Sequence, residues 1–256
     1  MSLVSLESKE NISYIHFNRP ERYNALNKEM LEALLEAVEE AENNEDQILI
    51  LSGEGNAFCA GGDISMMKDF SEKEFFDQVM RTIEKIVLKL YKMPKIVVSA
   101  IHGSAVGLGL SLALSADYVI AQNEAKLGML FIGIGLAPDG GGHFWLQERI
   151  GTQKAKEFTW GLKQVEGVKA KQMGLVDMTT DEKVLDYAKG FADKLLTTPI
   201  IAMLKTKQIY HAGKEKDLIY YLEEEQKAQW ELRGTEDHQE GVAAFLEKRR
   251  PVFKGK

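Results

Sequence analysis

The sequence predicts an α/β protein whose last quarter is helical. Three observations point there. Short apolar runs alternate with amphipathic helices through the first part of the chain, two of those runs empty directly into glycine-rich turns, and strand signals stop beyond about Asp181. Taken in order, Ile12–Phe17 alternates as a strand with one buried face does. From Lys28, the residues Met30, Leu34, Val38 and Ala41 recur at helical spacing, and Asn27 is placed to cap that helix. Residues 48–51 and Ile96–Ile101 are continuous apolar runs, as expected of strands covered on both faces. A short helix over 110–115, a strand over 117–121 and a helical run over 144–150 follow.

The helical region is expected over 182–196, 200–211, 216–233 and 237–248. Pro199 and Gly234 act as start and stop signals, and Asp237 with Glu240 fits a capping box. Within 216–233 the stripe formed by Leu218, Tyr221, Leu222, Glu225 and Gln229 is only partly apolar. Such a helix is expected to pack against the core or another subunit. The pattern changes near Thr198, which divides a core of 1–198 from a helical region of 199–256.

Composition excludes several classes of function. The 256 residues are 45% hydrophobic, enough to bury about three quarters of the unfolded surface. No stretch reaches the ~20 apolar residues of a membrane span, and the first residues lack the layout of a signal peptide, so a cytoplasmic location is expected. Cys59 is the single cysteine, which rules out an internal disulfide, and no Cys/His spacing suggests a metal site. A net charge of −7 argues against binding nucleic acid or an anionic membrane.

The most informative segments are Phe58-Cys59-Ala60-Gly61-Gly62-Asp63-Ile64 and His102-Gly103-Ser104-Ala105-Val106-Gly107-Leu108-Gly109, each leaving a buried strand. Either turn alone reads as a tight corner. Together they can aim free backbone N–H groups at one point, which is how an oxyanion hole is made. With Ile132-Gly133-Ile134-Gly135-Leu136-Ala137-Pro138-Asp139-Gly140-Gly141-Gly142, in this order and at these separations, they resemble the crotonase family, the enoyl-CoA hydratase/isomerase superfamily. The likeness runs from Asn18-Arg19-Pro20 to the segment ending Glu247-Lys248-Arg249.

That resemblance implies a spiral of ββα units carrying acyl-CoA binding and catalysis, followed by a helical C-terminal part that forms homotrimers or hexamers. It implies an acyl-CoA thioester substrate, no cofactor beyond the CoA of that substrate, and an enolate held at the thioester oxygen by the amides of Ala60 and Leu108. CoA is expected near Arg22, Ala25, Ala60, Gly61, Gly62, Asp63 and Ile64, with Phe131 in the acyl pocket and Phe245 and Lys248 at the nucleotide end. Without the resemblance, the basic run from Lys248 to the end reads as a solvated tail, and the resemblance turns that reading towards binding.

The reaction depends on the acid/base groups. Hydratases of the family hold water between two glutamates, whose positions here match Ser111 and Phe131. Asp139 remains. Before a glycine run and a helix it reads as an N-cap, while by resemblance it stands where isomerases of the phenylacetate-pathway type carry their acid/base group. This favours shifting the double bond of an enoyl-CoA. The alternatives are a hydratase or another crotonase-type reaction, and a catalytically silent acyl-CoA-binding or RNA-associated oligomer. His143 could face Asp139 or cap a helix, His102 is expected to steady its turn, and Cys59 to be packed. The stretch Met66, Met67, Phe70, Phe75, Phe76 and Met80 reads either as core or as a lid over the acyl chain.

Overall fold

The computed structural model describes residues 2–66 and 72–256. Its first hairpin joins β1 (Val4–Lys9) to β2 (Ile12–Phe17) through Glu10 and Asn11, both at positive φ (57° and 64°). Such a turn matches the twist of paired strands. After α1 (Lys28–Asn43) comes β3 (Ile48–Gly53), and after α2 (Lys73–Lys92) comes β4 (Ile96–Ile101). The chain then places β5 (Ser104–Val106) and α3 (Leu108–Leu114), β6 (Tyr118–Gln122) and β7 (Lys126–Gly128), and α4 (Gly142–Trp160). Finally β8 (Val165–Glu166), α5 (Gly167–Met173) and β9 (Met178–Thr180) lead to α6 (Val184–Leu196), α7 (Ile200–Arg233) and α8 (Glu236–Leu246).

Successive strand pairs are shared between two sheets, and this makes the spiral. β4 and β6 lie parallel in a six-stranded sheet of order β1-β2-β3-β4-β6-β9, while their followers β5 and β7 pair in a three-stranded sheet of order β5-β7-β8. The pairs β4–β5 and β6–β7 thus each add one strand to each layer. Strand alternation sorts the large sheet's side chains: Ile15, Leu49, Leu51, Val97, Ile101 and Val119 join the cluster covered by α1 to α4, and Ile12, Ile48, Ile50, Ile96, Val98 and Ile120 join the cluster covered by α6. The two apolar runs are thus buried on both faces, as their composition predicts.

α1 begins as expected, with Asn27 Oδ1 accepting from Met30 N–H at 3.0 Å. The expected helices over 200–211 and 216–233 are instead one helix, α7. Gly213 inside it costs about 1 kcal/mol, which packing against α2 and α4 outweighs. α7 spans both cores, giving Ile200 to one and Leu218 and Leu222 to the other. Buried Lys207 on α7 donates to Asp117 Oδ2 at 2.7 Å and to Lys95 O at 2.9 Å, fixing the first half of the helix to the sheet.

Three other boundaries move for local reasons. α3 starts at Leu108, because Gly107 at φ 55° turns the chain directly from β5 into the helix. The helical run over 144–150 is the first half of α4, which breaks at Gly151 (φ 75°, ψ 155°). The cap of α8 is Thr235, whose hydroxyl accepts from His238 N–H at 3.1 Å, so the capping box proposed for Asp237 and Glu240 does not form. Asp237 instead accepts from the backbone N–H groups of Lys254 and Gly255 at 2.6 and 2.8 Å. No helix among the described residues is long and apolar enough to cross a membrane.

Candidate active site

The two glycine-rich turns face each other. Cys59 and Ala105 pair as a parallel bridge, with Cys59 N–H donating to Ser104 O at 3.0 Å and Val106 N–H to Cys59 O at 3.0 Å. Gly61, at φ 91°, sits so close that an added Cβ would lie 2.6 Å from Val106 O and 3.5 Å from Leu108 N. Only glycine fits there.

One expected donor is already engaged. Ala60 N–H donates to Tyr23 O at 2.9 Å and is not available to a ligand. Around the next residue, Leu26 N–H bonds Gly61 O at 2.8 Å and Asp63 N–H bonds Leu26 O at 3.0 Å, which leaves Gly62 N–H between them with no acceptor among the described residues. A Cβ at Gly62 would meet nothing within 4 Å, so this residue borders open space. Leu108 N–H, opening α3, likewise has no acceptor among the described residues. The free pair of amides is therefore Gly62 and Leu108. The amides of Cys59, Ala60, Gly61 and Asp63 are all engaged, which makes Gly62, not Ala60, the free donor of this turn.

The loop that carries Asp139 packs against the first turn of α3. A Cβ on its neighbour Gly140 would lie 2.5 Å from Leu108 Cδ1 and 3.2 Å from Ser111 Cβ. Asp139 O accepts from the buried Ser111 hydroxyl at 2.7 Å and from Gly142 N–H at 3.1 Å. The residue is only 8% exposed, and Oδ1 has no hydrogen-bond partner among the described residues. Burial, reinforced by the negative charge of Glu225 and opposed by Arg233, pushes the Asp139 carboxyl up to about 8. Phe131 completes the group: its ring lies 3.5 Å from where a side chain on Gly107 would begin.

Asp139 does not cap α4. Gly141, at φ 77°, holds the N-cap position without a side-chain bond, and the capping carboxylate is buried Glu225 of α7. Glu225 accepts from Gly141 N–H at 2.7 Å, from His143 N–H at 2.9 Å and from His143 Nδ1 at 2.8 Å. His143 is accordingly bound to Glu225 at the head of α4. Gln229, one turn further along α7, donates to Ala137 O at 2.5 Å. Neither contact is visible in local sequence. Their signal is the polar series Tyr221, Glu225, Gln229 and Arg233 at helical spacing, on a helix that must bury one face.

The remaining site residues fall into two places. Arg22, Ala25 and the segment from Ala60 to Ile64 meet where the loop before α1 crosses the first glycine-rich turn. Asp63 there is tied to Arg19 at 2.6 Å and to the Ser65 hydroxyl at 2.7 Å. Burial alone would raise its carboxyl, but the Ser65 and Arg19 hydrogen bonds hold it below the usual value. A cavity of about 250 Å³ opens beside it, lined by Arg19, Lys28, Asp63, Met66 and Phe75. Phe245 and Lys248 lie apart from this group, at the exposed end of α8, which packs on the turn at Phe131–Ile134. Arg249 of the basic run is engaged by Glu240 and Glu247, whereas Lys248 makes no ion pair among the described residues.

Phe76 and Met80 are buried on α2 and Met66 is buried beside the first turn, while Met67 and Phe70 lie outside the described residues. Cys59 is packed as expected, and burial pushes its thiol up to about 12. His102 Nε2 meets Gly55 O at 3.0 Å and steadies its turn. Larger cavities of about 510 and 410 Å³, beside Leu136 and Phe253 and beside Asp117 and His211, are lined by neither Asp139 nor the free amides.

The arrangement combines a buried, high-pKa carboxyl with two backbone amides that have no acceptor among the described residues, groups of the kind that move a proton and stabilise an enolate. Known proteins resemble this one over the whole chain. The enoyl-CoA hydratase/isomerase family profile matches residues 7–256. An enoyl-CoA hydratase/isomerase of Bacillus subtilis, YhaR, is 46% identical over 253 residues, covering 99% of each chain. The 1,2-epoxyphenylacetyl-CoA isomerase of Escherichia coli is 33% identical over 261 residues, covering 100% of both. The crystal structure of an enoyl-CoA hydratase from Mycobacterium avium subsp. paratuberculosis superposes with a TM-score of 0.89 at 26% identity, covering 98% of each chain. This chain therefore belongs to the enoyl-CoA hydratase/isomerase family of the crotonase superfamily.

Proposed function

We propose that this enzyme shifts the double bond of a 3-enoyl-CoA to the 2-position, with Asp139 as its proton shuttle. The carrying observation is that Asp139 is a buried carboxyl whose neighbour Gly140 packs on the Leu108 side chain, while the two positions expected to hold a hydratase's water are occupied by Ser111 and Phe131. The Ser111 hydroxyl is itself committed to Asp139 O.

In the proposed reaction, the Asp139 anion removes a proton from C2 of the substrate. The C2–H electron pair forms a C1=C2 bond as the carbonyl π pair moves onto the thioester oxygen, and Gly62 and Leu108 N–H stabilise the resulting dienolate, which is conjugated with the C3=C4 bond. Asp139, now the acid, returns the same proton to C4, leaving the 2-enoyl-CoA. A carboxyl held at about 8 suits both halves of this transfer near neutral pH. No water enters the product. The CoA nucleotide would lie along Arg22 and the 250 Å³ cavity, where Lys28 supplies positive charge and Arg19 is paired with Asp63. Phe245 and Lys248 would serve the nucleotide of a neighbouring subunit in a homotrimer or hexamer, an assembly consistent with exposed Ile201, Ile209 and Tyr210 on α7.

Hydration is the competing reading, supported by relatives such as the probable enoyl-CoA hydratase of Rhodobacter capsulatus, 34% identical over 255 residues. The test is to supply 3-enoyl-CoA and 2-enoyl-CoA separately and identify products by mass and ultraviolet absorbance. Isomerisation leaves the mass unchanged, whereas hydration adds one water. Asp139→Asn should lower turnover by ~10²-fold or more while binding and folding survive. Near-normal isomerisation by that variant, or a hydrated product as the main one, overturns the proposal.

A further inference from the structure

Asp139 lies on a loop braced from one side by a single helix. Glu225 and Gln229, on one face of α7, grip the chain on both flanks of Asp139: Gln229 holds Ala137 O, and Glu225 holds Gly141 N–H and His143 N–H. Three of these contacts are to the backbone, so the brace fixes where the loop runs whatever side chains it carries. Glu225 is 2% exposed and Gln229 fully buried, so neither position is explained by surface solubility. Both are far in sequence from the loop they hold.

We propose that Glu225 and Gln229 are positioning residues for proton transfer by Asp139, Glu225 by clamping the loop with a fixed negative charge and Gln229 by anchoring its leading end. The inference rests on the reading of Asp139 as the proton shuttle. A buried carboxylate near a second carboxyl resists that group's ionisation, so Glu225 strengthens Asp139 as a base as well as placing it. The charged and titratable groups facing this region are Glu225 and Arg233 from α7, His143 from α4 and His238 from α8. From α3 the contact is Ser111, which carries no charge. Arg233 opposes Glu225 in its effect on Asp139, and His143 is occupied by Glu225. Removing the Glu225 charge should therefore leave Arg233 dominant and make Asp139 a weaker base.

The test compares Glu225→Gln, Glu225→Asp and Gln229→Met on 3-enoyl-CoA, and follows the Asp139 carboxyl by carbon NMR in protein labelled at aspartate. Glu225→Gln removes the charge but keeps an acceptor, and should move the Asp139 titration and the acid limb of the kcat profile down by about one pH unit. Glu225→Asp keeps the charge but shortens the reach, and should lower kcat with the titration near wild type. Gln229→Met should cut kcat by about tenfold with KM changed little, because a loop misplacement is felt at the reacting atoms. An Asp139 titration unmoved in Glu225→Gln, or a wild-type kcat in Gln229→Met, overturns the proposal. In an Asp139→Asn background, Glu225→Gln should have no further effect on the residual rate. Full activity of Asp139→Asn alone would instead refute the reading of Asp139, so the two failures are distinguishable.

Discussion

The Ser111 hydroxyl donates to the main-chain carbonyl of Asp139 at 2.7 Å, so the residue standing at one expected glutamate position holds the backbone of the remaining carboxyl. Ser111 is fully buried. Ser111→Ala should leave that acceptor with Gly142 N–H alone and cost about 1 to 2 kcal/mol of stability. Turnover should fall by less than in Asp139→Asn, because the carboxyl survives. Denaturant unfolding and kcat on 3-enoyl-CoA check both parts.

The rate should follow the anion of Asp139. With its carboxyl held at about 8, kcat/KM for a 3-enoyl-CoA should rise by about tenfold per pH unit below that value and level off above it. A profile flat from pH 6 to pH 9 would contradict a carboxylate base with this environment.

Stability should carry the opposite dependence. Asp139 binds its proton more tightly in the folded protein than the ordinary aspartate value of 3.8, because burial disfavours the charge. Folding therefore gains most from the protonated form below pH 4 and loses that advantage as pH rises towards 8. Asp139→Asn, which cannot ionise, should gain stability relative to wild type across this window. Melting temperatures of the two proteins at pH 5 and pH 8 measure it, and a difference that does not widen with pH would contradict the buried-carboxyl account.

The first glycine-rich turn offers a steric contrast. Gly61→Ala would drive a methyl group to 2.6 Å from Val106 O at a φ of 91° and separate the two turns, whereas Gly62→Ala meets nothing within 4 Å. The first should lower kcat by about 10²-fold, the scale of losing one oxyanion donor. The second keeps its N–H and should stay within about threefold of wild type. Steady-state kinetics beside circular dichroism separates loss of the hole from loss of the fold.

Much of this was legible in the residues. Apolar runs such as Ile96–Ile101 announced strands covered on both faces, and Asn27 caps α1 as its chemistry suggests. The glycine-rich turns located the hole, but not which amide is free. That depends on Ala60 and Asp63 both being engaged by the loop before α1, through Tyr23 O and Leu26 O, a pairing between segments distant in sequence. Asp139 was similarly ambiguous between cap and acid/base group, because the residue that does cap α4, Glu225, comes from another helix. The break expected within 200–233 failed for a related reason: tertiary contact, not local propensity, decides whether a helix passes through Gly213.

The brace between α7 and the Asp139 loop also sets an order of events during synthesis. Strands and glycine turns emerge first, yet Gln229 and Glu225 belong to the closing stretch of the chain. Until that stretch leaves the ribosome, the loop has neither its anchor nor its cap. The growing polypeptide thus carries Asp139 well before it carries the two residues that place it.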